Sequence, residues 1–262
     1  TACSIKIASL MFLLSCMAQA AVDPIAESAT GDHGYPYRLF TPAEAGTNNR
    51  LPLVIFLHGL GERGTDLERH VLAHIQLLIE VTMGATHPAF LVAPQSASGS
   101  WDGATVRDLA EHIVATEAVD PSRIYVTGLS AGGQGTWKSV AAGLDFFAAG
   151  VPLSAVQATD TAAAIGEADF PIWAFHGDAD GVVAVGHTRG MIDLMTAAGG
   201  QPRYTERAGW GHSNWAEIYR DNPSWTGTWS GGEPQNTESS LYGWLFAQRR
   251  TDLPEPPPPL QP

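Results

Sequence analysis

The stretch Thr127-Gly-Leu-Ser-Ala-Gly-Gly-Gln-Gly-Thr-Trp137 sets a serine between glycines directly after the apolar run Ile124-Tyr-Val126. Within it, Gly128-Leu129-Ser130-Ala131-Gly132 fits the pattern G-x-S-x-G. The pattern is informative only when a strand leads into it and a helix leads out. Here RIYVTG reads as the strand and GGQGTWKSVAAGL as the helix. A turn that sharp leaves no room for a side chain at either glycine. It forces Ser130 outward and aims the free N–H groups of a helix opening at Ala131 toward any anion held beside the hydroxyl. A glycine-rich turn capped by a serine is the bland alternative, so the residues that accompany Ser130 decide between the two.

Outward from this turn, strand and helix patterns alternate. YPYRLFTPAE suggests a first strand, and LPLVIFLHG, bounded by Pro52 and Gly59, is a continuous apolar run suited to a strand buried on both faces. DLERHVLAHIQLLIEVTMG, residues 66–84, places Leu67, Val71, Ile75, Leu78 and Ile79 at helical spacing, with Gly84 able to close the helix. AFLVAP, FFAAGVPLSA, PIWAFHG and PRYTERAG read as further strands. VRDLAEHIVATEAV, GHTRGMIDLMTAAGG and SLYGWLFAQRR read as further helices. Such alternation predicts right-handed crossovers, a mainly parallel sheet and helices on both faces. Ligands of open sheets of this kind sit beyond the carboxyl ends of the strands.

Candidate partners for Ser130 fall at those ends. FHGDADGVV offers two carboxylates, Asp178 and Asp180. Asp178 follows a His-Gly turn that it can cap, whereas Asp180 lies further into the loop and is free to reach an imidazole, so Asp180 is the favoured acid. GWGHSNW places His212 in a glycine-bracketed loop after the last strand. The order Ser, Asp, His separates this arrangement from the chymotrypsin and subtilisin orders. HGLGERG, residues 58–64, follows the first long strand, and the N–H of Leu60, paired with that of Ala131, is the candidate donor pair for a developing oxyanion. His58, directly before Gly59, is expected to be structural, bonding nearby loop backbone.

With four motifs at four strand ends, the chain from about Leu51 to Arg250 resembles the small secreted α/β-hydrolases that include carboxylesterases, feruloyl esterases, polyhydroxybutyrate-depolymerase-like enzymes and a group described as predicted peptidases. LPLVIFLHGLGERG, VDPSRIYVTGLSAGGQGTW, FHGDADGVV, GHSNWAEIY and LYGWLFAQRR carry the likeness. The resemblance implies an α/β-hydrolase fold without a large cap domain. It also implies a Ser130–His212–Asp180 triad with Leu60 and Ala131 as oxyanion donors, and carboxylic-ester hydrolysis through an acyl-enzyme without metal or organic cofactor. Relatives usually carry a larger residue at the position of Ala131, so a wider cleft beside the serine is implied here.

Bulk properties fit that expectation. The 262 residues are 44% hydrophobic and 16% charged, the range of one globular domain. Residues 1–20, TACSIKIASLMFLLSCMAQA, read as a signal peptide cleaved before Ala21, which predicts a secreted protein. Cys16 in LLSC loosely resembles a lipoprotein anchor site, a subordinate reading. Both cysteines, Cys3 and Cys16, lie in this leader, so the mature domain, residues 21–250, is expected to hold neither disulfides nor thiol chemistry. A formal net charge of −13 without a basic cluster argues against nucleic acid as a partner. His70 and His74 stand four apart without a third ligand and read as helix surface rather than a metal site.

Substrate contacts are less legible. Trp101 and Trp215 lie on loops at the active face, where they either stack on a substrate or wedge the loops together. Trp137 and Trp244 read as core. Residues 220–238, with Trp225 and Trp229, form a long Gly- and Ser-rich stretch that could cover the cleft, and residues 251–262 form a proline-rich tail. Two rival readings remain: a serine peptidase of prolyl-oligopeptidase type, and a hydrolase fold that only binds. Oligomeric state is open.

Overall fold

The computed structural model describes residues 34–46, 49–72, 74–213, 215–221 and 240–253. The expected leader, nearly all of the 220–238 stretch and the proline-rich part of the tail lie outside the described residues.

Among the described residues seven strands form one sheet in the order β1-β3-β2-β4-β5-β6-β7. They are β1 (Tyr37–Phe40), β2 (Leu51–Leu57), β3 (Phe90–Pro94), β4 (Val119–Leu129), β5 (Ala149–Leu153), β6 (Trp173–Gly177) and β7 (Arg203–Arg207). Only β1 runs antiparallel, pairing Tyr37 with Pro94 through Phe40 with Leu91. The remaining pairs are parallel, and β2 and β4 match Leu53 with Ile124 through Leu57 with Gly128. Every residue of β2, β3, β5 and β6 is buried, as expected of strands covered on both faces.

Among the described residues seven helices cover the sheet: α1 (Gln76–Thr82), α2 (Gly103–Thr116), α3 (Ala131–Ala142), α4 (Thr159–Glu167), α5 (Gly186–Ala197), α6 (Trp215–Tyr219) and α7 (Leu241–Ala247). Strand periodicity sorts the core into two halves. Leu53, Ile55 and Leu57 point to one side and pack with Val106, Trp137, Ile165 and Met191 from α2 to α5. Val54 and Phe56 point to the other and meet Leu78, Ile218 and Trp244 from α1, α6 and α7. Trp137 and Trp244 are core residues, as expected. The result is an α/β-hydrolase fold. Among the described residues no helix is long and apolar enough to cross a membrane.

Residues 66–84 depart from the expected single helix. The chain forms a short 3-10 turn at Arg69–Val71, and α1 starts only at Gln76. Leu67 has φ 55° and donates its N–H to the side chain of Gln95 at 2.6 Å, so it cannot open a helix. His70 is 2% exposed and hydrogen-bonds through Nε2 to the Ala93 carbonyl at 3.0 Å. It is a core residue rather than helix surface, and His74 does not share a helix with it. Periodicity does not mark α4, whose buried face is only Ala162, Ile165 and Gly166, or α6, a helix of five residues.

At Gly132 and Gly128 the start of α3 lies tightly against the end of β2. An ideal Cβ at Gly132 would stand 1.9 Å from the Leu57 carbonyl oxygen, and one at Gly128 would stand 2.5 Å from that of Gly132 and 2.7 Å from that of Leu57. These are backbone atoms that cannot rotate away. Gly132→Ala is therefore expected to cost about 3 kcal/mol or more and to lower Tm by about 6–12 °C, read by calorimetry. A variant as stable as the parent would contradict the packing.

Candidate active site

Ser130 stands alone between the last residue of β4 and the first of α3. It has φ 55° and ψ −115°, a conformation that L residues avoid at roughly 1–3 kcal/mol. Its N–H is held by the Leu153 carbonyl at 2.9 Å, which fixes the elbow against β5. The hydroxyl projects to His212, whose Nε2 lies 3.0 Å from Oγ.

His212 follows β7 on a loop bound to the one after β6. The Gly209 amide donates to Asp178 at 2.6 Å, Asp178 donates its own amide to Arg207 at 3.1 Å, and Ala179 donates to the Trp210 carbonyl at 3.0 Å. Asp178 is thus the tie between the two loops and is exposed, while Asp180 reaches the imidazole. Asp180 Oδ2 lies 2.7 Å from His212 Nδ1, and Oδ1 accepts from the amides of Val182 at 2.9 Å and Val183 at 2.8 Å. Burial pushes the Asp180 carboxyl toward its neutral form. The bonds from His212, Val183 and Val182 outweigh that and hold it below the ordinary carboxylate range. An ionised Asp180 places the hydrogen of His212 on Nδ1, leaving Nε2 bare to accept from Ser130.

Leu60 opens a 3-10 turn, Leu60–Glu62, just past β2, and Ala131 opens α3. Amides at such positions have no intrahelical acceptor. Because α3 is pressed onto Leu57, three residues before Leu60, both expected oxyanion donors belong to one corner of the sheet. His58 is structural, as expected. Its Nε2 accepts from the Ser96 amide at 3.0 Å, so Nδ1 carries the hydrogen and donates to Gly59 O at 2.7 Å. Gln95, which the sequence reading passed over, is fully buried beneath the same loop. It donates to the Glu62 carbonyl at 3.2 Å and to Asp66 at 2.9 Å while accepting from Leu67. Its signal was a polar side chain placed immediately after an apolar strand.

Of the two roles open to Trp101 and Trp215, substrate stacking and loop packing, their burial fits packing. Trp101 is 3% exposed, donates Nε1–H to the His58 carbonyl at 3.1 Å and sets its ring against the His58 ring, centroids 4.8 Å apart. Trp215, 7% exposed on α6, meets His212 edge-on at 5.0 Å and His74 at 4.8 Å. A side chain so covered offers no free face for stacking. Trp215 instead supports the imidazole of His212.

Comparison with known proteins bears on the fold. Residues 89–173 match the prolyl oligopeptidase family, a span that contains Ser130 and ends before Asp180 and His212. Poly(3-hydroxyalkanoate) depolymerase C of Paucimonas lemoignei is 27% identical over 135 residues, which make up 45% of this chain and 31% of that protein. A thermostable esterase superposes with a TM-score of 0.72 at 30% identity, over 87% of this chain and 64% of that one. The chain thus spans less than two thirds of either relative. A feruloyl esterase module from Clostridium thermocellum, solved with sinapinate, shares the fold with a TM-score of 0.56 at 19% identity, over 76% of this chain and 86% of that one.

Three buried histidines carry a consequence for stability. Burial holds His58, His70 and His176 below the ordinary imidazole value of 6.5, His70 at about 4. Such a group stays neutral in the folded chain while the unfolded chain takes up the proton. Its contribution is complete above the unfolded value and is lost as pH falls through the folded one. The denaturant midpoint should therefore drop between pH 6.5 and pH 4, with His70 alone accounting for on the order of 3 kcal/mol. His70→Gln should flatten the slope, and a midpoint independent of pH across that window would contradict the assignment.

Proposed function

We propose that this chain, an α/β-hydrolase of the esterase-like group, cleaves carboxylic esters through an acyl-enzyme on Ser130, with His212 as base, Asp180 as its orienting acid and the Leu60 and Ala131 amides as oxyanion donors. The observation that carries the reading is the unbroken hydrogen-bond line from Asp180 through His212 to a serine in a strained elbow. His212 takes the Ser130 proton as Oγ attacks the carbonyl carbon. The oxyanion that forms is stabilised by the two amides, each worth ~2.7–4 kcal/mol in the transition state. Collapse of the tetrahedral intermediate transfers the proton from His212 Nε2 to the leaving alcohol. Water, deprotonated by the same nitrogen, then attacks the acyl-enzyme and releases the acid.

The substrate we propose is a neutral ester with an apolar acyl part. Leu60, 54% exposed, and Val182, 73% exposed, present apolar side chains on the loops that carry one oxyanion amide and the acid. The formal net charge of −13 disfavours anionic substrates, and the depolymerase and esterase likenesses point the same way. Secretion, proposed from residues 1–20, accords with an extracellular ester. Amide cleavage is the second reading, favoured by the match to the prolyl oligopeptidase family.

A panel of p-nitrophenyl acyl esters, feruloyl esters and peptide anilides tests the two readings, with turnover of the esters alone expected. Ser130→Ala should lower kcat on the order of 10⁶-fold and abolish fluorophosphonate labelling. Asp180→Asn should lower kcat on the order of 10⁴-fold, while Asp178→Asn, which perturbs only the tie between loops, should cost far less. Residual turnover in Ser130→Ala within tenfold of the parent would overturn the reading, and the reverse ranking of the aspartates would move the acid to Asp178.

A further inference from the structure

We infer that His176 is a positioning residue for the reaction, fixing the Asp180 carboxylate as a neutral hydrogen-bond donor and itself fixed by Thr188. The inference rests on the triad reading above.

His176 lies at the end of β6 with its side chain fully covered, and its Nε2 is 3.2 Å from Asp180 Oδ2, the oxygen that also receives His212. The same Nε2 lies 2.9 Å from the Val183 carbonyl, and Nδ1 lies 2.7 Å from the Thr188 hydroxyl on α5. A carbonyl oxygen can only accept, so Nε2 carries the hydrogen and shares it between Val183 O and Asp180 Oδ2. Burial keeps the ring neutral, so Nδ1 is bare and accepts the hydroxyl hydrogen of Thr188. Thr188 is 1% exposed, so water does not compete for that bond.

Asp180 therefore has four donors: the Val182 and Val183 amides on Oδ1, and His176 and His212 on Oδ2. Three of the four belong to the loop and strand end that hold the acid, and only His212 moves protons in the reaction. A neutral donor suits this place. It satisfies a buried carboxylate without cancelling the negative charge that must face the imidazolium of His212. The other acidic neighbour, Glu206, stands in register with His176 on β7 but is bound to Arg189 Nε at 2.8 Å and to the Tyr204 hydroxyl at 2.8 Å. In the sequence His176 looked like part of a strand-end turn, and nothing there linked it to Asp180 beyond the spacing of four.

The test compares His176→Leu, His176→Gln and Thr188→Val with the parent and with Ser130→Ala, using one p-nitrophenyl ester that the parent turns over. His176→Leu is expected to lower kcat on the order of 10–100-fold with KM within about threefold, a loss smaller than the ~10⁴ that follows removal of a triad acid. His176→Gln, whose carboxamide N–H can still donate, should recover to within about tenfold of the parent, and Thr188→Val should lower kcat by roughly 3–10-fold. The downfield proton resonance of His212 Nδ1–H should shift upfield in His176→Leu. A folded His176→Leu with parental kcat overturns the inference, as does equal loss in the Leu and Gln variants, which would mark a space-filling role. If His176→Leu does not fold, parental kcat in Thr188→Val overturns it. Turnover surviving in Ser130→Ala would instead sink the triad reading, a separate outcome from any of these.

Discussion

Everything at the active face follows from how closely α3 is pressed onto the end of β2. With no Cβ at residue 132, the helix sits against the Leu57 carbonyl at a distance that no other residue allows. That contact brings the start of α3 beside the loop leaving β2, so the Ala131 and Leu60 amides come from adjoining segments. It also leaves Ser130 a single residue in which to turn from strand to helix, and the positive φ is the result. The strain at the serine and the pairing of the amides are two consequences of one packing constraint.

His212 and Asp180 depend on a different device, hydrogen bonding between loops. Asp178, Ala179 and Trp210 join the loops after β6 and β7. Asp180 is left with amides on one oxygen and imidazoles on the other. Beneath the loop that opens at Leu60, Gln95, His58 and Trp101 do the same for backbone that would otherwise be unpaired. Buried polar groups with every donor and acceptor matched define one geometry, whereas apolar filling would tolerate several. Gln95, His58, Trp101 and the Asp180 loop hold this corner through such bonds, while Trp215 braces His212 by ring contact.

Strands were legible because full burial leaves continuous apolar runs, and the serine elbow because its glycines are sterically required. Asp180 and His212 were legible from strand-end position and chain order. The failures have physical reasons. Spacing in residues 66–84 imitated a helix, but a left-handed Leu67 and the buried Gln95 hold that segment as a loop leading to a short α1. The α4 segment buries mostly alanine and glycine, too little apolar contrast to register as periodicity. Trp101 and Trp215 were placed near the site correctly, but sequence does not say which way a ring faces, and both turn inward. His70 is buried by β3, a neighbour far along the chain.

The claim on which the account stands is that the hydroxyl at 130 and the amides at 60 and 131 surround one reacting atom. A crystal structure of the protein inactivated by a dialkyl phosphate ester addresses it directly. Phosphorus is expected on Ser130 Oγ, with the phosphoryl oxygen within about 2.7–3.1 Å of both amide nitrogens. A phosphoryl oxygen pointing into solvent or held by other groups, or phosphorus on a different residue, would contradict it.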